Sequence, residues 1–313
     1  MLGAGRRITA IALNTYREAV RARILLGLSA LALATALYSI AVGEFALKNA
    51  PRVVADLGAA SISVYAIVAA IIIGVTSLYR ELEQKTIVPV LARPIRRSEY
   101  VIGKYTGTLL TLGVFIALDA AAVLLILARH GGRGWGTIAA SVIALVGGPA
   151  IAFWRVPRAR TWIPIPWAAV ALAVGAALAS GAIDDRRVVL GASALALMEV
   201  MIVSAVATLF SAFSSPFLSA VFTVGIFIIG RRTETLARLP ARVFGETIKR
   251  GGAWLAQIFP NLEVYVPPRP LLTGEAPDSS LFSHMAWAGA QAIGWSIGLL
   301  VISSYVFKRR DLS

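Results

Sequence analysis

Apolar runs about as long as a bilayer is thick recur along this sequence, and they restrict what it can fold into. Ile24–Gly43 carries no charged residue. Ala59–Tyr79, Val101–Ala128, Val188–Ala212 and Met285–Phe307 are at least as long, interrupted only by Lys104, Asp119 and Glu199. Thr137–Trp154 and Ile163–Gly181 form a weaker pair, split by the basic, proline-containing stretch Arg155–Arg160, and Pro216–Gly230 is the shortest run. About twenty apolar residues in a helix cover a hydrocarbon core of roughly 30 Å. A helix also satisfies its own backbone where no water can. The expected fold is all-α: a polytopic transmembrane helical bundle of about eight spans, forming one membrane domain over residues 1–313. Lys104 stands close enough to the start of its span to snorkel to the surface.

Composition agrees. The chain is 58% hydrophobic and 15% charged, too little polar surface for a soluble protein of this length. It contains no cysteine, which removes disulfides and thiol chemistry. The net charge of +14 suits anionic headgroups and membrane orientation better than nucleic acid. The start, Met1–Asn14, is basic but has too short an apolar run for a cleaved signal peptide.

Basic residues in short flanking segments set orientation. Arg6, Arg7, Arg17, Arg21 and Arg23 precede the first run, and the connector over 80–100, the turn over 155–160 and the tail are also basic. With eight spans all four lie on one side, so both termini are expected in the cytoplasm of a multi-pass protein of the inner (plasma) membrane. Residues 1–23 are expected to lie as an amphipathic helix on the inner surface. Residues 231–283 would form an outer loop, although they too are basic. Leu236, Leu239, Val243, Phe244, Ile248, Trp254 and Leu255 have helical apolar spacing there, which suits an interfacial helix. Its proline-rich second half is expected to be extended.

The connector from Tyr79 to Lys104 is the most informative short segment. It runs from an acidic cluster through Ile87–Leu91 to Arg93–Pro94 and a basic cluster. Both signs of charge around an apolar strip suit docking to a partner, where charge sets register and partner choice more than affinity. Anchoring helix ends in headgroups is the plainer alternative.

Taken in order, Glu81–Thr86, Pro89–Pro94, Arg97–Tyr100 and Gly103–Lys104 resemble the ABC-2 type exporter permeases, the membrane subunits of ATP-driven exporters. The resemblance extends over Arg17–Arg21, Phe210–Pro216, Phe259–Leu262 and Phe307–Leu312, in the family's order along nearly the whole chain. Lys85 departs from the family's usual glycine, and the hairpin within 132–184 exceeds its six-span plan. The resemblance implies that residues 80–100 form a cytoplasmic coupling helix docked on an ATP-binding subunit, through Glu81, Glu83, Thr86, Arg93, Arg96, Arg97 and Glu99. It also implies a second copy of the permease or a paralogue, with ATP and Mg bound by the partner subunit and no cofactor bound by this chain.

Nothing in the sequence supports catalysis within the chain. Gly103–Lys104 lacks the spacing of a phosphate-binding loop, and His130 and His284, both expected at the outer interface, are too few for a metal site. Asp184–Asp185 is too isolated to serve a lipid transferase. Two carboxylates lie within spans, where they are costly and face protein or water. Asp119 is about 13 Å and Glu199 about 16 Å from the outer ends of their runs at helical rise, so they could share a depth. They could be packing residues, a polar patch on an export path, or the proton carriers of a secondary transporter, the alternative function. Ala290, Gly294 and Gly298, and Ala171, Gly175 and Ala179, mark faces for close helix contact.

Overall fold

The computed structural model describes residues 3–46, 49–83, 96–156, 162–240, 245–275 and 280–309. Among them there are twelve α-helices and no strands. In chain order they are α1 (Ala4–Arg21), α2 (Arg23–Phe45), α3 (Ala50–Glu83), α4 (Arg97–His130), α5 (Trp135–Arg155), α6 (Pro164–Leu178), α7 (Ile183–Ser211), α8 (Pro216–Gly230), α9 (Thr233–Ala237), α10 (Glu246–Ile258), α11 (Arg269–Thr273) and α12 (Leu281–Arg309). Seven are long and apolar enough to cross a membrane: α2 to α7 and α12, with α6 extended to Gly181 by a 3-10 turn. The protein is a multi-pass helical bundle.

Helices α3, α4 and α7 form its centre, and small residues let them approach. A Cβ on Gly58 of α3 would stand 2.5 Å from Val123 of α4, and one on Gly74 would stand 2.6 Å from Ala207 of α7. Without a hydrophobic force between helices in lipid, such close contact is what holds them together. Gly175 does the same for α6, with Leu124 and Ala121 of α4 in van der Waals range of its face. Ala171 and Ala179 are buried beside it, as the small-residue spacing suggests.

Helix α5 stands apart, with Ile138 its only buried residue. It is tied to α6 where Pro149 interrupts it. Proline has no N–H for the carbonyl four residues earlier, and that carbonyl, on Leu145, instead accepts from Nε1 of Trp167 at 2.8 Å. Gly148 leaves room for the indole.

Helix α1 is packed against protein as well as being amphipathic. Arg7 meets Glu99, Ile11 meets Gly103 and Thr15 meets Gly107, so α1 runs beside α4 in the same direction with a constant register. A Cβ on Gly107 would collide with the carbonyl of Ala12. Tyr16 is wholly buried in this contact, and burial pushes its phenol up to about 12. Lys104 does not snorkel outward as its position suggested. Its side chain is 4% exposed and its ammonium lies 3.4 Å from Glu18 of α1, because α1 covers the surface it would have reached.

Candidate functional site

Helix α8 has 15 residues, about 22 Å at 1.5 Å per residue and so shorter than the hydrocarbon core. Arg231, just past its end, therefore lands beside the middle of α7. There its guanidinium grips Glu199, Nε to Oε1 at 2.6 Å and Nη2 to Oε2 at 2.7 Å. Ser63 of α3 closes the triad: its hydroxyl accepts from Arg231 Nη2 at 2.9 Å and donates to Glu199 Oε2 at 3.4 Å. Glu199 is completely buried. The two-pronged geometry matches guanidinium to carboxylate and supplies the paired hydrogen bonds that a buried charge requires.

The chain then returns to fill the space beyond the short helix. The N–H of Leu262 donates to the carbonyl of Gly230 at 2.9 Å, and Tyr265 donates its hydroxyl to the carbonyl of Ala288 at 3.0 Å. Leu262, Tyr265, Leu271 and Leu272 are buried. The second half of the 231–283 region is thus not extended as its prolines suggested. It carries a 3-10 turn at Glu263–Tyr265 and the helix α11, because its apolar residues have an open helix end to cover. The helical expectation for its first half holds at Leu236 in α9 and at Ile248, Trp254 and Leu255 in α10, whereas Leu239 lies between these helices and Val243 and Phe244 lie outside the described residues.

Between α3, α8 and the returning segment lies a cavity of about 650 Å³. Val64, Ile67 and Val68 of α3 form one apolar wall, and Val224, Phe227 and Ile228 of α8 the other. Arg231 and Ser63 supply its inner polar surface. Arg52, Asp56 and Arg269 lie at another part of the lining, where Arg269 bridges Asp56 of α3 and Asp185 of α7. An apolar chamber with a few convergent polar groups is the usual form of a binding site. Among the described residues, no group of three His, Cys, Asp or Glu side chains could hold a metal ion.

The second polar cluster lies at the start of α4. Glu99 accepts from Arg7 Nη2 at 2.7 Å and from Nε at 2.8 Å, and also from the Arg96 backbone N–H at 3.4 Å. Hydrogen bonding to Glu99 holds the Arg7 guanidinium above its ordinary value. Arg97 donates to the carbonyls of Phe307 and Lys308 at 3.0 and 2.9 Å. Tyr100 stacks on Phe307 with ring centroids 6.3 Å apart. This end of the connector is therefore bound to α1 and to the end of α12 at once.

The residues singled out in the sequence fall into different surroundings. Glu81 and Glu83 belong to the last turn of α3, while Thr86 and Arg93 lie outside the described residues. Arg96 is exposed at the start of α4, but Glu99 is turned inward to Arg7. Asp119 is 6% exposed, and neither of its carboxylate oxygens has a hydrogen-bond partner among the described residues. It is not bonded to Glu199. Gly113 of α4 lies beside Leu197 of α7, so this register puts Asp119 and Glu199 on opposite sides of that contact, about 12 Å apart along the helices. Gly294 and Gly298 have no atom within 4 Å of an added Cβ. They line an open groove with Asn261, Trp287 and Trp295 and make no close helix contact among the described residues. His284 bonds the carbonyl of Val264 at 2.9 Å.

Arg231, Ser63, Arg7 and Arg269 were not singled out as site residues. Only Arg231 had a signal: an apolar run too short to cross must set the charge after it below the surface. No family model matches this sequence, and no curated protein matches it.

Proposed function

We propose that this chain is the membrane permease subunit of an ABC-2 type exporter, working as a pair with a second copy or a paralogue and driven by a separate ATP-binding subunit. The observation that carries the reading is the anchoring of the charged connector. One end continues from α3, and the other is fastened through Glu99 to α1 and through Arg97 to α12. A push from a docked partner would reach α1, α3, α4 and α12 together, and α3 leads directly to the cavity wall at Val64 and Ile67. The acidic last turn of α3 and exposed Arg96 supply both signs of charge for docking. Glu99 has an internal role in this scheme, holding the connector rather than the partner.

A proton-driven transporter using Asp119 and Glu199 has less support. Glu199 is committed to Arg231, and the two carboxylates share no hydrogen bond.

Reversing Glu81 and Glu83 to Lys tests the exporter reading, because like charges at an interface are costly. The double variant should insert normally yet lose co-purification with an ATP-binding subunit, or lose substrate-stimulated ATP hydrolysis. Intact assembly and coupling would remove the connector from the mechanism and return the proton-driven scheme to first place.

A further inference from the structure

A second cavity, of about 760 Å³, opens between α2, α4, α5 and α6. Two of its walls belong to the hairpin α5–α6, which the export mechanism leaves without a role. Its extent is similar on three helices: Leu33 to Glu44 on α2, Leu118 to His130 on α4, and Trp135 to Val146 on α5. Each stretch covers about twelve residues, or about 17 Å of helix. That length matches half of a hydrocarbon core of roughly 30 Å, the depth of one leaflet.

Its polarity is arranged by depth as well. Leu33, Leu37, Leu118, Leu125, Val142 and Val146 make the walls apolar. Glu44, Arg129, His130 and Trp135 all gather at the end where α4 passes to α5. Arg129 lies over the Trp135 ring, 5.4 Å from its centroid, which holds the guanidinium at the mouth. Neither Arg129 nor Glu44 has an ion-pair partner among the described residues. The other end is closed by Trp167, fixed to Leu145.

An apolar space of this size does not hold ordered water, which needs several polar partners. Left empty, it would forfeit the dispersion contacts of every wall. In a bilayer the neighbouring apolar material is lipid. We propose that the cleft holds one acyl chain of a zwitterionic phospholipid, with its phosphate on Arg129 and its ammonium on Glu44. The two opposite charges at one mouth select such a headgroup, since Glu44 repels a lipid bearing net negative charge. The extra hairpin would then be a lipid-binding attachment, whether or not the chain is an exporter.

The full-length protein, reconstituted with equal phosphatidylethanolamine and phosphatidylglycerol, would be stripped stepwise in detergent and weighed by native mass spectrometry. One phosphatidylethanolamine should remain per chain after the bulk lipid is gone. Arg129→Gln should reduce its retention about tenfold, as expected for loss of a charge-assisted bond. Glu44→Gln should keep a lipid bound but shift the choice toward phosphatidylglycerol. Ala122→Phe, which fills the cleft from α4, should abolish retention. Glu44 is exposed, so its variant tests headgroup choice without burdening the fold. Absence of a retained lipid in the unaltered protein would overturn the proposal. So would unchanged headgroup choice in Glu44→Gln, or a cross-linked second copy occupying the α5 face.

Discussion

Trp167 donates its indole N–H to the carbonyl of Leu145 at 2.8 Å, the carbonyl that Pro149 deprives of a helical donor. One side chain of α6 thereby repairs the backbone of α5, in which Ile138 is the only buried residue. An unsatisfied carbonyl in an apolar setting costs about 1–3 kcal/mol. Trp167→Phe should therefore destabilise the α5–α6 hairpin by about that amount, read as faster hydrogen exchange over residues 141–149. Pro149→Ala restores the missing N–H and should make the same substitution much milder. Equal effects in the two backgrounds would disconnect Trp167 from the proline.

The pair of Glu199 and Arg231 makes a second prediction. Removing one partner from a buried ion pair costs about 3–5 kcal/mol, whereas replacing both with apolar groups is often neutral. Glu199→Leu and Arg231→Met should each lower stability strongly in detergent unfolding, and the double variant should recover most of the loss. Additive losses would mean that the two side chains do not act as a unit. If the chain works as the proposed exporter, transport should fall in the double variant even where stability returns, because the cavity loses the charged groups beside its wall.

Gly107 is where α1 sits closest to α4. Gly107→Val should push α1 off its seat, since the added side chain meets the Ala12 backbone and Thr15. Ala19 is 7% exposed in this contact. Because the chain has no native cysteine, Ala19→Cys can report the change through maleimide labelling. Labelling should be slow alone and several-fold faster with Gly107→Val. An unchanged rate would show that α1 is held elsewhere, by Arg7–Glu99 or Glu18–Lys104.

Orientation can be tested with the same cysteine-free background. Cysteines placed at Ser98, near the start of α4, and at Ser280, ahead of α12, should label from opposite faces of intact cells. Ser280 should react with an impermeant reagent from outside, and Ser98 only after permeabilisation. Reaction of both from outside would refute the placement of the basic connector in the cytoplasm.

Sequence alone determined the class of this fold and most of its helices. Burying a run of apolar residues in lipid depends only on the local chain, so the spans over 24–43, 101–128 and 188–212 were legible from composition and length. The amphipathic α1 and the helical start of the 231–283 region were readable for the same reason, through periodicity. Pro216–Gly230 was counted as a full span and Arg231 placed in the outer loop, although a 15-residue helix falls short of a hydrocarbon core. What joined to what was decided by tertiary structure. Glu199 was visible as a costly charge, but its partners come from α3 and α8 and meet only because α8 stops short. Arg7 finds Glu99 through close packing at Gly103 and Gly107, while Gly294 and Gly298, equally small, make no close helix contact among the described residues. Helix formation is local, whereas the partner of a buried charge depends on the register between helices, which side-chain shape sets across the whole bundle.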